Sequence, residues 1–245
     1  MLLKFYQWRM KMSRKNREQI FKLFLLLLNM ENQKQIWNSI APEWYKFKIE
    51  KSNPETIKFL KSQETKFLGT GKSNSTKFSE SQKGKVLDLG SGSGRYLTKI
   101  KNGEMYLVDF SEEMIKLAEQ HSKEKKIPAK FFVSEMNHLP FEDEFFDAAI
   151  ANSSFHCIEK KQQEKVAREL YRVLKPKAKA EISVWNINSK RFKNSPKEKY
   201  ISWRDKGKRY YYLFDEEELI NLLKKVGFKI IKKQIGIMIT IVVEK

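Results

Sequence analysis

The segment that most restricts this chain is Val86-Leu87-Asp88-Leu89-Gly90-Ser91-Gly92-Ser93-Gly94, a short apolar run ending in three alternating glycines. Such a run, bounded by a turn signal, predicts a buried strand over 85–89. Glycines at 90, 92 and 94 let the backbone turn sharply and approach a ligand with no Cβ in the way. A helix is expected to begin at about Arg95 and aim its free N–H groups at the same place. A second apolar run, 104–110, carries Asp109 near its end. A carboxylate there can accept hydrogen bonds from both hydroxyls of a ribose, at the point where the strand order of such a sheet reverses.

The alternation continues down the chain. Ser111 caps a helix, with Glu112 and Glu113 at its positive end. Strands are expected at 130–133, 147–152 and 180–185. A helix over 159–174 sets Val166, Leu170, Val173 and Leu174 on one face and stops before Pro176; another spans 215–226 and ends at Gly227. The tail reads as a hairpin turning near Gly236. This predicts a doubly wound α/β fold: a mostly parallel, Rossmann-like seven-stranded sheet with a terminal antiparallel strand. Residues 186–208 are polar and basic and read as an irregular excursion.

Ahead of the sheet, residues 30–62 read as a helical cap. Pro42 is expected to break its first helix and Pro54 to start a second. Residues 63–83, rich in Ser, Thr, Lys and Gly, read as a flexible linker or loop before a domain over 84–245. Residues 1–29 read as an extension outside the native chain, with Met30 the working start. The run from Ile20 to Leu28 is interrupted by Lys22 and is short of the roughly 20 apolar residues a membrane span needs. No membrane partner is expected.

Forty-nine Lys and Arg against 30 Asp and Glu give a net charge of +19. Such a field suits a polyanion such as nucleic acid; a merely solvated surface is the plainer reading. One cysteine, Cys157, and three histidines leave no internal disulfide, no Cys-based zinc site and no expected metal. A cytoplasmic, reducing location fits.

The glycine spacing is G-x-G-x-G, whereas a pyrophosphate turn asks for G-x-G-x-x-G. With Asp109, the pattern resembles motif I and the second-strand acid of the class I S-adenosylmethionine-dependent methyltransferases. That resemblance implies S-adenosylmethionine as cofactor, held by Asp88, Gly90, Gly92, Gly94 and Asp109. It also implies Glu135 and Met136 at the adenine, and Asn152 at the head of the active-site loop 152–158. Leu139-Pro140-Phe141 and Phe146-Asp147 agree with it.

A finer resemblance joins both ends of the chain. Ile36-Trp37-Asn38-Ser39-Ile40-Ala41-Pro42-Glu43-Trp44 and Val184-Trp185, Trp203, Arg209-Tyr210-Tyr211-Tyr212-Leu213-Phe214, Glu218-Leu219 and Gly227-Phe228 resemble the tRNA wobble-uridine carboxymethyl methyltransferases. Lys177-Ala178 stands where that family has a glycine pair, Ser202 in place of Pro, Thr240 in place of Asn and Cys157 in place of His. The resemblance implies a tRNA substrate methylated on a carboxylate, and a small zinc-ribbon activator protein as partner. Arg95 and Arg209 are expected to hold the acceptor carboxylate, and His156 to lie beside the reacting methyl group. The alternatives are a small-molecule methyltransferase using His156 as base, and an inactive cofactor-binding subunit.

Overall fold

In the computed structural model of the chain, residues 13–64 and 83–245 are described. The expected extension lies partly, and the expected linker almost wholly, outside them. Helices α1 (Arg14–Lys48) and α2 (Pro54–Gln63) come first. There follow β1 (Gly84–Leu89), β2 (Gly103–Asp109), α3 (Glu112–Lys125), β3 (Ala129–Val133), β4 (Phe146–Asn152), α4 (Lys160–Val173) and β5 (Leu174–Trp185). The chain closes with β6 (Glu198–Ser202), β7 (Lys208–Tyr212), α5 (Glu216–Val226), β8 (Lys229–Ile235) and β9 (Met238–Glu244).

Seven strands form one sheet in the order β3-β2-β1-β4-β5-β9-β8. The first five run parallel, and β9 lies antiparallel between β5 and β8. The expected fold class is the observed one. Because β1 is flanked by β2 and β4, the chain winds outward both ways and leaves a crevice at the carboxyl ends of these strands.

Strand periodicity sorts the side chains between two cores. Leu87, Leu89, Ala149, Ala151, Ile182 and Val184 face the side covered by α4 and α5. Val86, Leu107, Ala148 and Ile150 face the other, where Phe59 and Leu60 of α2 and Ala118 of α3 pack on them. By the same parity Asp88, Asn152 and Glu181 point to the α2 side. Ser111 caps α3 as expected, accepting from Met114 N at 3.2 Å. Asp215 caps α5, and Gly227 ends it with φ +117°.

Four expectations need correction. No helix follows the glycine turn: residues 92–96 are turns and 97–100 are irregular. Positive φ at Gly90, Gly92 and Gly94, and again at Asn102, interrupts right-handed backbone at both ends of 95–101, which is turn and irregular structure. Helix α2 covers that face instead, its Phe59 and Leu60 clustering with Tyr96, Leu97 and Ile100. Second, Pro42 lies inside α1 rather than ending it. Contacts on both sides of it override the lost backbone bond: Ile40 and Ala41 pack on Met114, and Glu43 accepts from Trp203 Nε1 at 3.1 Å.

Third, the excursion at 186–208 contains β6 and runs into a two-stranded ribbon, β6 pairing β7. Its outer strand, Glu-Lys-Tyr-Ile-Ser, buries nothing fully and so shows no apolar run. Fourth, β5 begins at Leu174, before Ala180. Its first residues bulge, the register slipping between Phe146 and Ala148 of β4, with Lys177 at φ +63°.

Among the described residues, no helix is long and apolar enough to cross a membrane.

Candidate active site

The glycine turn and the loop after β4 touch directly. A Cβ on Gly90 would sit 2.4 Å from Ser154 Cβ, and Ser154 Oγ donates to Leu89 O at 2.8 Å. Only glycine fits between them. Asp109 is fixed by the same turn: Gly92 N donates to its Oδ2 at 2.8 Å and Ser111 N to its Oδ1 at 3.0 Å. Each oxygen keeps a second lone pair for a hydroxyl.

Beside this turn lies a cavity of about 220 Å³. Asp88, Gly90, Gly92, Asp109, Glu135, Met136 and Asn152 line one part of it, and Arg95 and His156 also line it. The fold thus brings together nine of the residues expected from the sequence. Gly94 is not among them. Its φ is +81°, and a Cβ there would lie 3.3 Å from Ala118 Cβ, so it serves the packing of the turn on α3.

Arg209 does not line the cavity either. It is buried, with its guanidinium carbon 5.0–5.5 Å from the ring centroids of Trp203, Trp44, Tyr211 and Trp37, and Nη1 donates to Tyr211 Oη at 2.5 Å. Its Nε is buried without a partner, and the four rings and the Tyr211 hydroxyl are the contacts it makes. It holds the rings that form the wall.

One part of the cavity is acidic. Burial pushes the Asp88 carboxyl up to about 7, opposed by Arg95 and reinforced by Asp109. Burial also raises Asp109 to about 6 against the N–H bonds of Ser111 and Gly92, and raises Glu135. Asp88 Oδ2 and Asn152 Oδ1 are buried acceptors with no partner. These groups fit S-adenosylmethionine: unpaired acceptors for its ammonium, Asp109 for its ribose, and Glu135 with Met136 beyond β3 for its adenine.

The rest of the wall is aromatic and basic. Trp37, Trp44 and Lys48 come from α1, and Trp185 and Tyr211 from β5 and β7. Trp185 stacks on Tyr211 with centroids 4.5 Å apart and on His156 at 4.9 Å. Lys48 is half-buried; burial lowers its pKa, and so do Arg95, Lys51, Arg191 and Arg209. His156 Nδ1 accepts from Trp185 N at 3.2 Å, which puts the ring proton on Nε2. Burial, with Arg95 and Arg209, holds His156 down near 3, and burial pushes the Cys157 thiol up to about 12. Neither group ionises at neutral pH.

Helix α1 closes the cavity from above. Asn38 Oδ1 accepts from Ser111 Oγ at 2.6 Å, while Gln33 Oε1 accepts from Tyr210 N at 2.9 Å. The helix therefore bridges α3 and the β6–β7 ribbon. Lys48, Gln33 and Ser154 were missed as site residues by sequence reasoning. The Trp37–Trp44 motif was the available signal, since Lys48 follows Trp44 one helical turn on.

A profile of a methyltransferase domain matches residues 86–177. An uncharacterized protein of Methanocaldococcus jannaschii is 33% identical over 154 residues, covering 61% of this chain and 67% of its own length. The ubiquinone/menaquinone biosynthesis C-methyltransferase of Yersinia pestis is 32% identical over 99 residues, 38% of this chain. The chain spans only 39% of that enzyme's length. The fold is similar to 1,6-didemethyltoxoflavin-N1-methyltransferase of Burkholderia thailandensis, solved with 1,6-didemethyltoxoflavin and S-adenosylhomocysteine. That likeness has a TM-score of 0.62, 17% identity, and 89% coverage of each chain.

Proposed function

Since the chain is a class I S-adenosylmethionine-dependent methyltransferase, we propose that it methylates a carboxylate, that of a carboxymethyl group on a wobble uridine of tRNA, to the methyl ester. One observation carries this reading. The wall outside the Asp88–Asp109–Glu135 end offers cations and flat rings but no free base. His156 is neutral with Nδ1 engaged, Cys157 stays protonated, and Glu159 pairs with Lys161 at 2.7 Å. A hydroxyl or amine acceptor needs a proton removed; a carboxylate does not.

When bound, S-adenosylmethionine supplies a methyl group on a sulfonium. Lys48 and Arg95 neutralise the acceptor carboxylate and turn one oxygen toward that carbon. That methyl would pass to a carboxylate oxygen that is already ionised, so no side chain of this wall would have to take a proton. Trp37 and Trp44, part-exposed on the same wall, are rings against which a planar base can pack. The +19 charge and the Arg209–Phe214 run favour tRNA as the carrier of that base.

The same reading includes a small zinc-ribbon activator protein. Strand β3 is one of the two outer strands of the sheet and leaves Val133 46% exposed, a place for it to dock. An isolated chain that is monomeric and fully active removes the need for that partner.

The second reading is a small-molecule methyltransferase, favoured by the 32% identity to a quinone-biosynthesis enzyme over 99 residues. Nucleoside mass spectrometry of bulk tRNA from cells lacking the gene separates the two. The tRNA reading expects the methyl ester to vanish and the free carboxymethyl nucleoside to accumulate. Unchanged tRNA nucleosides support the small-molecule reading.

A further inference from the structure

Behind the cavity, on the α2 side of the sheet, three polar side chains from three elements are hydrogen-bonded to one another, with the Tyr96 hydroxyl beside Thr56. Thr56 of α2, Asn152 of β4 and Glu181 of β5 are 1%, 6% and 4% exposed. Thr56 Oγ1 donates its one proton to Glu181 Oε1 at 2.6 Å. Asn152 Nδ2 donates to Thr56 Oγ1 at 2.9 Å and to Glu181 Oε1 at 3.1 Å.

The chemistry of this group permits one arrangement of the amide. The Glu181 carboxylate accepts only, and Thr56 has spent its proton on it, so both neighbours of Asn152 present lone pairs. Its NH₂ must face them. The amide oxygen is then left over, buried and without a partner. Asn152 lines the cavity; Thr56 and Glu181 do not. One strand away, on the same face, Asp88 Oδ2 is a second buried acceptor without a partner. Two such acceptors beside one cavity are costly unless a ligand group with several N–H donors satisfies them, and a primary ammonium does.

We propose that Thr56 and Glu181 are positioning residues that lock the Asn152 amide with its oxygen toward the cavity, where with Asp88 it receives the ammonium of the cofactor's amino-acid part. The relay also gives α2 a function beyond packing. With no helix after the glycine turn, α2 occupies that face and carries Thr56 to the cofactor site. Substituting Thr56 removes one of the two acceptors that hold the NH₂, leaving Glu181 Oε1 at 3.1 Å, so the amide oxygen is aimed at the ammonium less firmly. The inference rests on the cofactor alone and stands whatever the acceptor is.

The test compares two probes by calorimetry on the full-length chain: S-adenosylhomocysteine, and 5′-methylthioadenosine, which lacks the amino-acid part. Thr56→Val is expected to weaken S-adenosylhomocysteine by about tenfold, the size of one hydrogen bond to a charged group. It leaves 5′-methylthioadenosine unchanged, and Thr56→Ser restores the loss. Thr56→Ala, which adds no bulk, gives the same split and serves where the valine variant does not fold. Equal weakening of both probes would show a merely structural role and overturn the proposal, as would no change in either. Failure of wild-type protein to bind either probe would instead contradict the cofactor assignment.

Discussion

His156 Nδ1 takes the backbone N–H of Trp185 at 3.2 Å while the two rings stack 19° from parallel. The contact fixes the tautomer and removes the lone pair that a general base needs. His156→Asn, whose amide oxygen can take the same N–H, is expected to keep kcat within about tenfold of wild type, with a lower melting temperature. A base would cost about a hundredfold or more on removal. Single-turnover rates for the variant decide this; a loss of that size would restore His156 as base and favour a hydroxyl or amine acceptor.

Asp88 makes cofactor affinity depend on pH. Its carboxyl in the free protein is raised to about 7, so below that pH it is mostly neutral. A cationic ligand favours the ionised form, so affinity falls as pH drops through 7 and levels off above it. Calorimetry from about pH 5.5 to 7.5 is expected to show this rise with pH, and Asp88→Asn to flatten the part near 7. A wild-type affinity flat across that range would place Asp88 outside the ammonium site.

Arg209 is caged by four rings and bonded to Tyr211. Lysine carries the charge but neither the plane nor the fork. Arg209→Lys is therefore expected to cost about 2 kcal/mol or more in denaturant unfolding. Unchanged stability would mean that the cage does not hold the wall.

Lys177 adopts φ +63° where the resembled family carries glycine. Its Cβ pays for the left-handed backbone, and Lys177→Gly is expected to stabilise the fold by about 1 kcal/mol. Urea unfolding reads this directly, and a destabilised glycine variant would contradict it.

Much of this was legible in the sequence because it is local. The run ending at Asp88 and Leu89, the glycines beyond it and Asp109 are set by strand period and turn chemistry, and the structure gathers Asp88, Gly90, Gly92 and Asp109 around one cavity. What escaped was long-range. Nothing near Arg209 in the sequence shows that Trp37, Trp44 and Trp203 will close around it, and so it reads as a free cation. The pairing of Thr56 with Glu181 crosses 125 positions and joins residues that no motif contains. Pro42 misled for the same reason, its local penalty being offset by contacts that α1 makes elsewhere.

The most direct test of the whole account is methyl transfer in vitro from labelled S-adenosylmethionine to tRNA bearing carboxymethyluridine at the wobble position. Label is expected on that tRNA, released by mild alkali as an ester is. Also expected are a rate that falls steeply with added salt, and far less label on tRNA lacking the carboxymethyl group. Alkali-stable label, or no transfer to carboxymethylated tRNA by protein that binds S-adenosylhomocysteine, would contradict the proposed function.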